Sequence, residues 1–189
     1  MSYSQLDAIN LCLMANSELP INNAEDPEDL QVAKVKPIIE QVLREELRKM
    51  HNFNTFEQEF VPDADGNILV PDTFMSIFFS KQYLSRLTIR NKVVWDREKN
   101  APCTDKFTSL VTLYVSFEDC PELFRELIAY RAAQQYYAFY GPGPGTAGYQ
   151  RLELKARKAS VSFYNSEYHK LPSNFGLLYS WHGNVGLSA

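Results

Sequence analysis

The segment Asp63-Ala64-Asp65-Gly66-Asn67 sets two carboxylates and an amide two residues apart, a spacing that could gather oxygen ligands around calcium. Its glycine comes too early for a calcium loop, and Phe74 stands where the closing bidentate glutamate belongs, so a β-turn is the expected structure. Glu57 or Glu59 with Asp63 or Asp65 could form a glycosidase-type pair, which needs one acid in an apolar pocket and a separation of roughly 5 to 9 Å. Solvated strand faces account for the same residues without chemistry. The run Gly141-Pro142-Gly143-Pro144-Gly145 has the glycines of a phosphate cradle, but its prolines delete amide donors and no Gly-Lys-Ser/Thr follows. It reads as a connection. His51, His169 and His182 lack ligand spacing, and no Ser or Cys lies in a recognisable nucleophile setting. Cys12, Cys103 and Cys120 are odd in number and not closely paired, which argues for reduced thiols rather than a disulfide framework or zinc cluster. No catalytic residue, metal or cofactor is expected.

The elements that would position these residues are mostly helical at the two ends of the chain. Ser4 with Asp7 forms a capping-box pattern, and Leu6, Ile9, Cys12 and Leu13 make a helical stripe ending at Asn16, a residue tolerant of the left-handed conformation. Asp26, Pro27 and Asp29 start a second, long helix carrying Leu30, Ala33, Ile38, Val42, Leu43, Leu47 and Met50, with a kink or break expected at Pro37. The stretch 119–141 has Asp119 as a candidate N-cap, Pro121 and Glu122 for a first turn, and Gly141 for a left-handed close. Leu123, Leu127, Tyr130, Ala133 and Tyr137, widened by Phe124, Ile128 and Ala132, leave this helix apolar nearly all round, so it should sit among other elements. A last helix over about 149–168 buries Leu152, Ala156, Ala159 and Phe163 and can pair Glu153 with Arg157.

Between these helices the period shortens. Asn54, Phe56, Gln58 and Phe60 alternate, and further short strands are predicted over 68–70, 74–79, 84–90, 93–96 and 109–117, separated by turn signals at Asp65-Gly66-Asn67, Asn91-Lys92 and Lys99-Asn100. The expected class is α+β. A four-helix bundle from residues 1–52 and 118–170 carries an inserted small antiparallel β domain, 53–117, and an extended C-terminal arm, 171–189.

That arm contains no Asp, Glu, Lys or Arg, yet holds Phe175, Leu177, Leu178, Tyr179, Trp181, Val185 and Leu187. Such a composition suits packing, either on its own domain or on a partner, better than solvation. Charge is divided as well: residues 1–80 hold 5 Lys and Arg against 14 Asp and Glu, a balance of -9, while 81–189 hold 14 against 9, a balance of +5. The division could orient subunits or reflect solvated faces, and neither half reads as a nucleic-acid-binding stripe. No apolar run approaches the ~20 residues of a spanning helix, and no basic segment leads an apolar core at the N-terminus, so neither membrane span nor secretory signal is expected.

The order of short signatures is more specific than any one of them. Ala8-Ile9-Asn10, Leu13, Glu18, Pro20-Ile21, Phe53-Asn54, Pro62 with Gly66, Pro71, Trp95-Asp96-Arg97, and Cys120-Pro121-Glu122-Leu123-Phe124-Arg125 leading to Arg131-Ala132-Ala133 follow one another across about residues 6–168. In this the chain resembles the tail tubular protein A family, head-to-tail adaptors of short-tailed bacteriophages. It departs at Asn16, where the family often has Gly, and at His51-Asn52, where Gly-Trp is common. The resemblance implies a non-enzymatic virion protein, made in the host cytoplasm and placed at the head-tail junction. It implies a dodecameric ring between the portal and the nozzle, tail tubular protein B, with tail fibres nearby and viral DNA passing through without specific binding. The arm then becomes a docking segment, with Phe175, Leu177, Leu178, Tyr179 and Trp181 as its partner-docking residues. The alternative is a tail-associated glycan hydrolase using the carboxylate pair of the β insert.

Overall fold

The computed structural model describes residues 3–26 and 29–168. Its class is mixed α+β, as expected. The elements run α1 (Gln5–Ala15), α2 (Leu30–Leu47), β1 (Thr55–Phe60), β2 (Phe74–Phe78), α3 (Lys81–Leu84), β3 (Leu87–Arg90), β4 (Val93–Asp96), β5 (Ala101–Pro102), β6 (Phe107–Leu113), a 3₁₀ turn (Phe117–Asp119), α4 (Glu122–Tyr140) and α5 (Ala147–Tyr168). Among the described residues no helix is long and apolar enough to cross a membrane.

The helix starts follow local chemistry. Ser4 and Asp7 close a reciprocal capping box on α1, and the Asp29 carboxylate accepts from the amides of Gln31 at 2.7 Å and Val32 at 3.4 Å to open α2. α2 then runs unbroken through Pro37, so of the kink or break expected there the break is absent. Pro37 and Ala33, whose carbonyl the missing amide would have met, are both exposed, so water can satisfy the freed acceptor. Its buried face is Val32, Val35, Ile38, Ile39, Val42, Leu43 and Leu47, with Leu30 and Ala33 outside the core.

Both proposed left-handed helix ends differ from expectation. Asn16 has φ -96°, and it is Ser17, at φ 61°, that takes the left-handed turn after α1. Gly141 is extended, at φ -96° and ψ -167°. Glycine is needed there for space, because a Cβ would meet the Tyr137 carbonyl oxygen and Asn16 Oδ1, both at 2.7 Å. At the other end of α4, Asp119 finishes the 3₁₀ turn and takes a 2.6 Å hydrogen bond from the Ser116 hydroxyl, while Pro121 occupies the cap position. Pro121 has no side-chain acceptor to offer the first turn, so α4 starts without a side-chain cap.

α4 packs against α1, α2 and α5. Phe124, Leu127, Ile128, Ala129, Ala132, Ala133, Tyr136 and Tyr137 are buried along it, and they join buried residues of the other three helices in one apolar cluster. Small residues on one side let the neighbours approach closely, and Phe124, Tyr136 and Tyr137 fill the wider gaps.

The middle of the chain forms two three-stranded antiparallel sheets, ordered β1-β6-β2 and β3-β4-β5. Asn91 and Lys92, both at positive φ, make the two-residue turn that pairs Arg90 with Val93, a geometry matching strand twist. Residues 68–70 make a single bridge, Leu69 to Val93, rather than a strand. The strand expected from 84 begins only at Leu87, because 81–84 coil into α3, and the one expected over 109–117 is displaced to Phe107–Leu113. Phe60, Ile68, Leu87, Val94, Cys103, Phe107 and Val111 form a second apolar cluster, in which the Phe60 and Phe107 rings stack at 4.9 Å.

Candidate functional site

The five expected docking residues Phe175, Leu177, Leu178, Tyr179 and Trp181, with His169 and His182, lie outside the described residues. The carboxylate candidates lie within them, and Glu57, Glu59, Asp63 and Asp65 are all exposed. None occupies the apolar pocket that a glycosidase acid requires. Asp63 is spent on its own turn: Oδ1 accepts from the amides of Asp65 at 3.0 Å and Asn67 at 2.8 Å, its carbonyl accepts from Gly66, and Gly66 sits at φ 78°. This is the expected β-turn in place of a calcium loop. Among the described residues no group of three or more His, Cys, Asp and Glu is placed to hold a metal ion. All three cysteines are buried and free. Burial pushes the Cys12 and Cys120 thiols up to about 12, so both stay protonated and poorly nucleophilic.

What the structure brings together instead are two polar clusters at opposite ends of the helices. At the end where α2 stops, Glu46 is only 2% exposed, salt-bridged by Arg131 from α4 and by Lys49 at 2.7 Å. Nearby, the His51 ring stacks on Phe53 at 5.7 Å and meets Phe124 and Phe163 edge-on at 5.2 and 5.1 Å, while Nε2 lies 2.9 Å from the Glu46 carbonyl oxygen. Burial holds the imidazole down at about 4, against the opposing pull of the Glu46 carbonyl and carboxylate, so it is neutral near pH 7. Asn52 fixes the end of α5, its amide donating to Glu167 Oε2 at 2.8 Å and its Nδ2 to the Glu167 carbonyl at 3.1 Å. Asn54 Nδ2 reaches the carbonyls of Leu47 at 2.7 Å and Leu113 at 3.2 Å, tying the end of α2 to the end of β6.

At the opposite end, Glu18 gathers three elements. Its Oε1 accepts from Asn16 Nδ2 at 2.8 Å and Tyr136 Oη at 2.7 Å, and its Oε2 from Gln31 Nε2 at 3.5 Å. Burial alone would raise the carboxyl, but the Asn16 and Tyr136 hydrogen bonds, the Lys34 charge and the Gln31 amide bring it below its ordinary value. Asn10 holds the returning chain by exchanging two hydrogen bonds with the Ile21 backbone, at 2.8 and 3.0 Å. Among the residues near this hub in the chain or on its elements, Met14, Leu19, Leu30, Phe139 and Tyr140 are exposed by 63, 81, 76, 63 and 49%.

In the β region Asp96 is fully buried and takes the Arg86 guanidinium at 2.7 Å, which also reaches Asp105 at 2.6 Å. Arg86 holds both carboxyls below their usual range. A groove of about 660 Å³ runs beside the Glu46 cluster between α2, α4 and α5, lined in part by Arg131, Gln134, Glu153 and Arg157. Among the described residues Glu153 and Arg157 form no ion pair with one another; both face this groove. The Glu46–Arg131 and Glu18–Tyr136 contacts had a weak signal in the sequence. Glu46 falls on the apolar stripe of α2, and Arg131 interrupts the otherwise apolar run from Leu127 to Ala133 in α4, which are places where a charge needs a partner.

A family model described as tail tubular protein matches residues 6–171, from the first turn of α1 past the end of α5. No curated protein matches the chain.

Proposed function

Because the chain belongs to the tail tubular protein family, it is a structural protein of the phage tail, and we propose that it is the adaptor ring between the portal and the tail nozzle. The match along nearly the whole chain carries this reading. In it, residues 1–52 and 118–170 form the ring body, the β insert 53–117 faces the nozzle, and twelve subunits surround the channel through which DNA leaves. The acidic balance of residues 1–80 suits a conduit, since an acidic lining offers no phosphate contacts whose counterion release would make DNA adhere.

The uncharged segment 171–189 is then the arm that grips the portal or a ring neighbour. Burying Phe175, Leu178 and Trp181 contributes ~1.5 to 3 kcal/mol each before the ordering cost of the arm, enough to decide a modest interface. Gly176, Gly183 and Gly186 let it bend to a partner's shape. The test is electron microscopy of the purified protein with and without portal particles. Rings seated on the portal are expected, and a chain ending at Lys170 should keep its helical content but fail to join. A truncated chain that joins as well as the full one removes the arm assignment, and a full chain that never joins removes the adaptor reading.

A further inference from the structure

α5 packs on α4 through one stripe, Leu152, Ala156, Ala159 and Phe163, and its opposite face is open. Leu154 and Val161, each 54% exposed, form an apolar ridge on that open face, and Arg151, Lys155, Arg157 and Lys158 flank it, with Glu153 the one exposed acid of the helix. Lys155 lies 5.4 Å over the Tyr130 ring, yet among the described residues none of the four cations meets a carboxylate. The outer face of the β1-β6-β2 sheet has the reverse pattern. On the edge strand β1, Phe56 and Phe60 turn towards Phe74 and the second apolar cluster, so Glu57 and Glu59 point to the other side. Leu110 opposite Glu57, and Phe78 opposite Leu110, share that side and are half-buried. Residues 50–80 hold five acids and no Lys or Arg, so cations must come from elsewhere; Glu57 has no ion pair among the described residues, and Glu59 has only Lys106 at 3.8 Å, both groups being exposed.

We propose that the open face of α5 docks on this sheet face of a second copy of the chain, an inference that deepens the ring reading and leaves the β3-β4-β5 sheet for the nozzle. Each surface supplies what the other lacks. Leu154 and Val161 stand ~10 Å apart along the helix, matching the two strand spacings from Glu57 through Leu110 to Phe78, while Arg157 and Lys158 meet Glu57 and Glu59. Within one chain the two faces are held apart: α5 comes close to the start of β1 only at Glu167, through Asn52, and Leu154 lies ~20 Å back along the helix. The apolar ridge among the cations suits a protein surface rather than a phosphate backbone. Two different faces of one chain make a heterologous contact, the type that closes rings.

The test uses full-length protein and sedimentation over a concentration series at low ionic strength. Arg157→Glu with Lys158→Glu, or Glu57→Lys with Glu59→Lys, should each weaken self-association by about tenfold or more, and added salt should weaken that of the unaltered chain. The fourfold variant should regain association to within about threefold of the unaltered chain, and mixing the two paired variants should restore it too, because each contact then joins opposite charges. A further loss in the fourfold variant, unchanged association of either pair, no association on mixing, or an unaltered chain monomeric throughout overturns the proposal. Retention on duplex DNA that the α5 pair abolishes, with self-association unchanged, would instead give this face to nucleic acid. Leu154→Ser with Val161→Ser, on the same ridge, should also weaken association and repeats the test if a reversed pair misfolds. No portal is present, so a negative result here leaves the adaptor reading to its own experiment.

Discussion

Arg131 of α4 closes on the carboxylate of Glu46 in α2, an acid buried to 2% exposure and shared with Lys49. The pair joins two helices where a charge on either face alone would oppose packing. Arg131→Met should cost about 1 to 3 kcal/mol, because Lys49 still offsets the buried charge, and the double variant with Lys49→Met should cost more than the two separate losses added. Urea denaturation checks this. An unchanged midpoint for the double variant would mean that Glu46 reaches water.

Ile128 is fully buried on α4 among three neighbouring helices. Its replacement by Ala should leave a cavity and cost roughly 2 to 5 kcal/mol. The melting temperature reads this directly, and no change would put Ile128 in solvent and α4 at the edge of the bundle.

His51 titrates near 4 in the folded chain, against an ordinary value of 6.5, because burial disfavours the imidazolium. Between those values the unfolded chain binds the extra proton, so stability rises with pH. The contribution is complete above about pH 6.5, falls as pH drops towards 4, and amounts to roughly 3 kcal/mol at most. Imidazole titration followed by NMR is the measurement, and a folded-state midpoint near 6.5 would contradict the buried stack on Phe53.

Gly141 and Gly143 should respond differently to alanine. At Gly141 the new Cβ meets a backbone oxygen at 2.7 Å, which forces α4 and Asn16 apart and should cost about 1 to 3 kcal/mol. At Gly143 there is open space but a φ of 88°, for an expected loss of ~1 kcal/mol. Thermal unfolding of the two variants ranks them, and a reversed order would refute the close approach.

Glu57, Glu59, Asp63 and Asp65 are expected to support no hydrolysis. Asp63→Ala should cost about 1 kcal/mol by releasing the two amides its carboxylate holds. The check is an envelope-glycan assay on the purified protein. Turnover that copurifies and disappears with the amide variants of these residues would restore the hydrolase alternative.

Features whose partners lie within a few residues could be read from the chain. The Ser4–Asp7 box, the Asp29 cap, the turn at Asp63–Asn67 and the reversal at Asn91-Lys92 all close over short loops, so residue type and spacing nearly suffice. The apolar circumference of α4 likewise announced that it needs neighbours. Packing decided the rest. Pro37 stays in a continuous helix because it happens to face water; Gly141 is required by the approach of the Tyr137 carbonyl oxygen and Asn16 Oδ1 rather than by its dihedral angles; and the β region divides into two sheets because β6, from its far end, enters between β1 and β2. Glu18 with Tyr136, Glu46 with Arg131, and Asn54 with Leu113 are separated by 118, 85 and 59 residues. Glu46 and Asn54 are buried and Glu18 is half-buried, and the partner of each is fixed only when distant elements meet, since the cost of leaving it unpaired arises from burial and burial exists only in the folded chain.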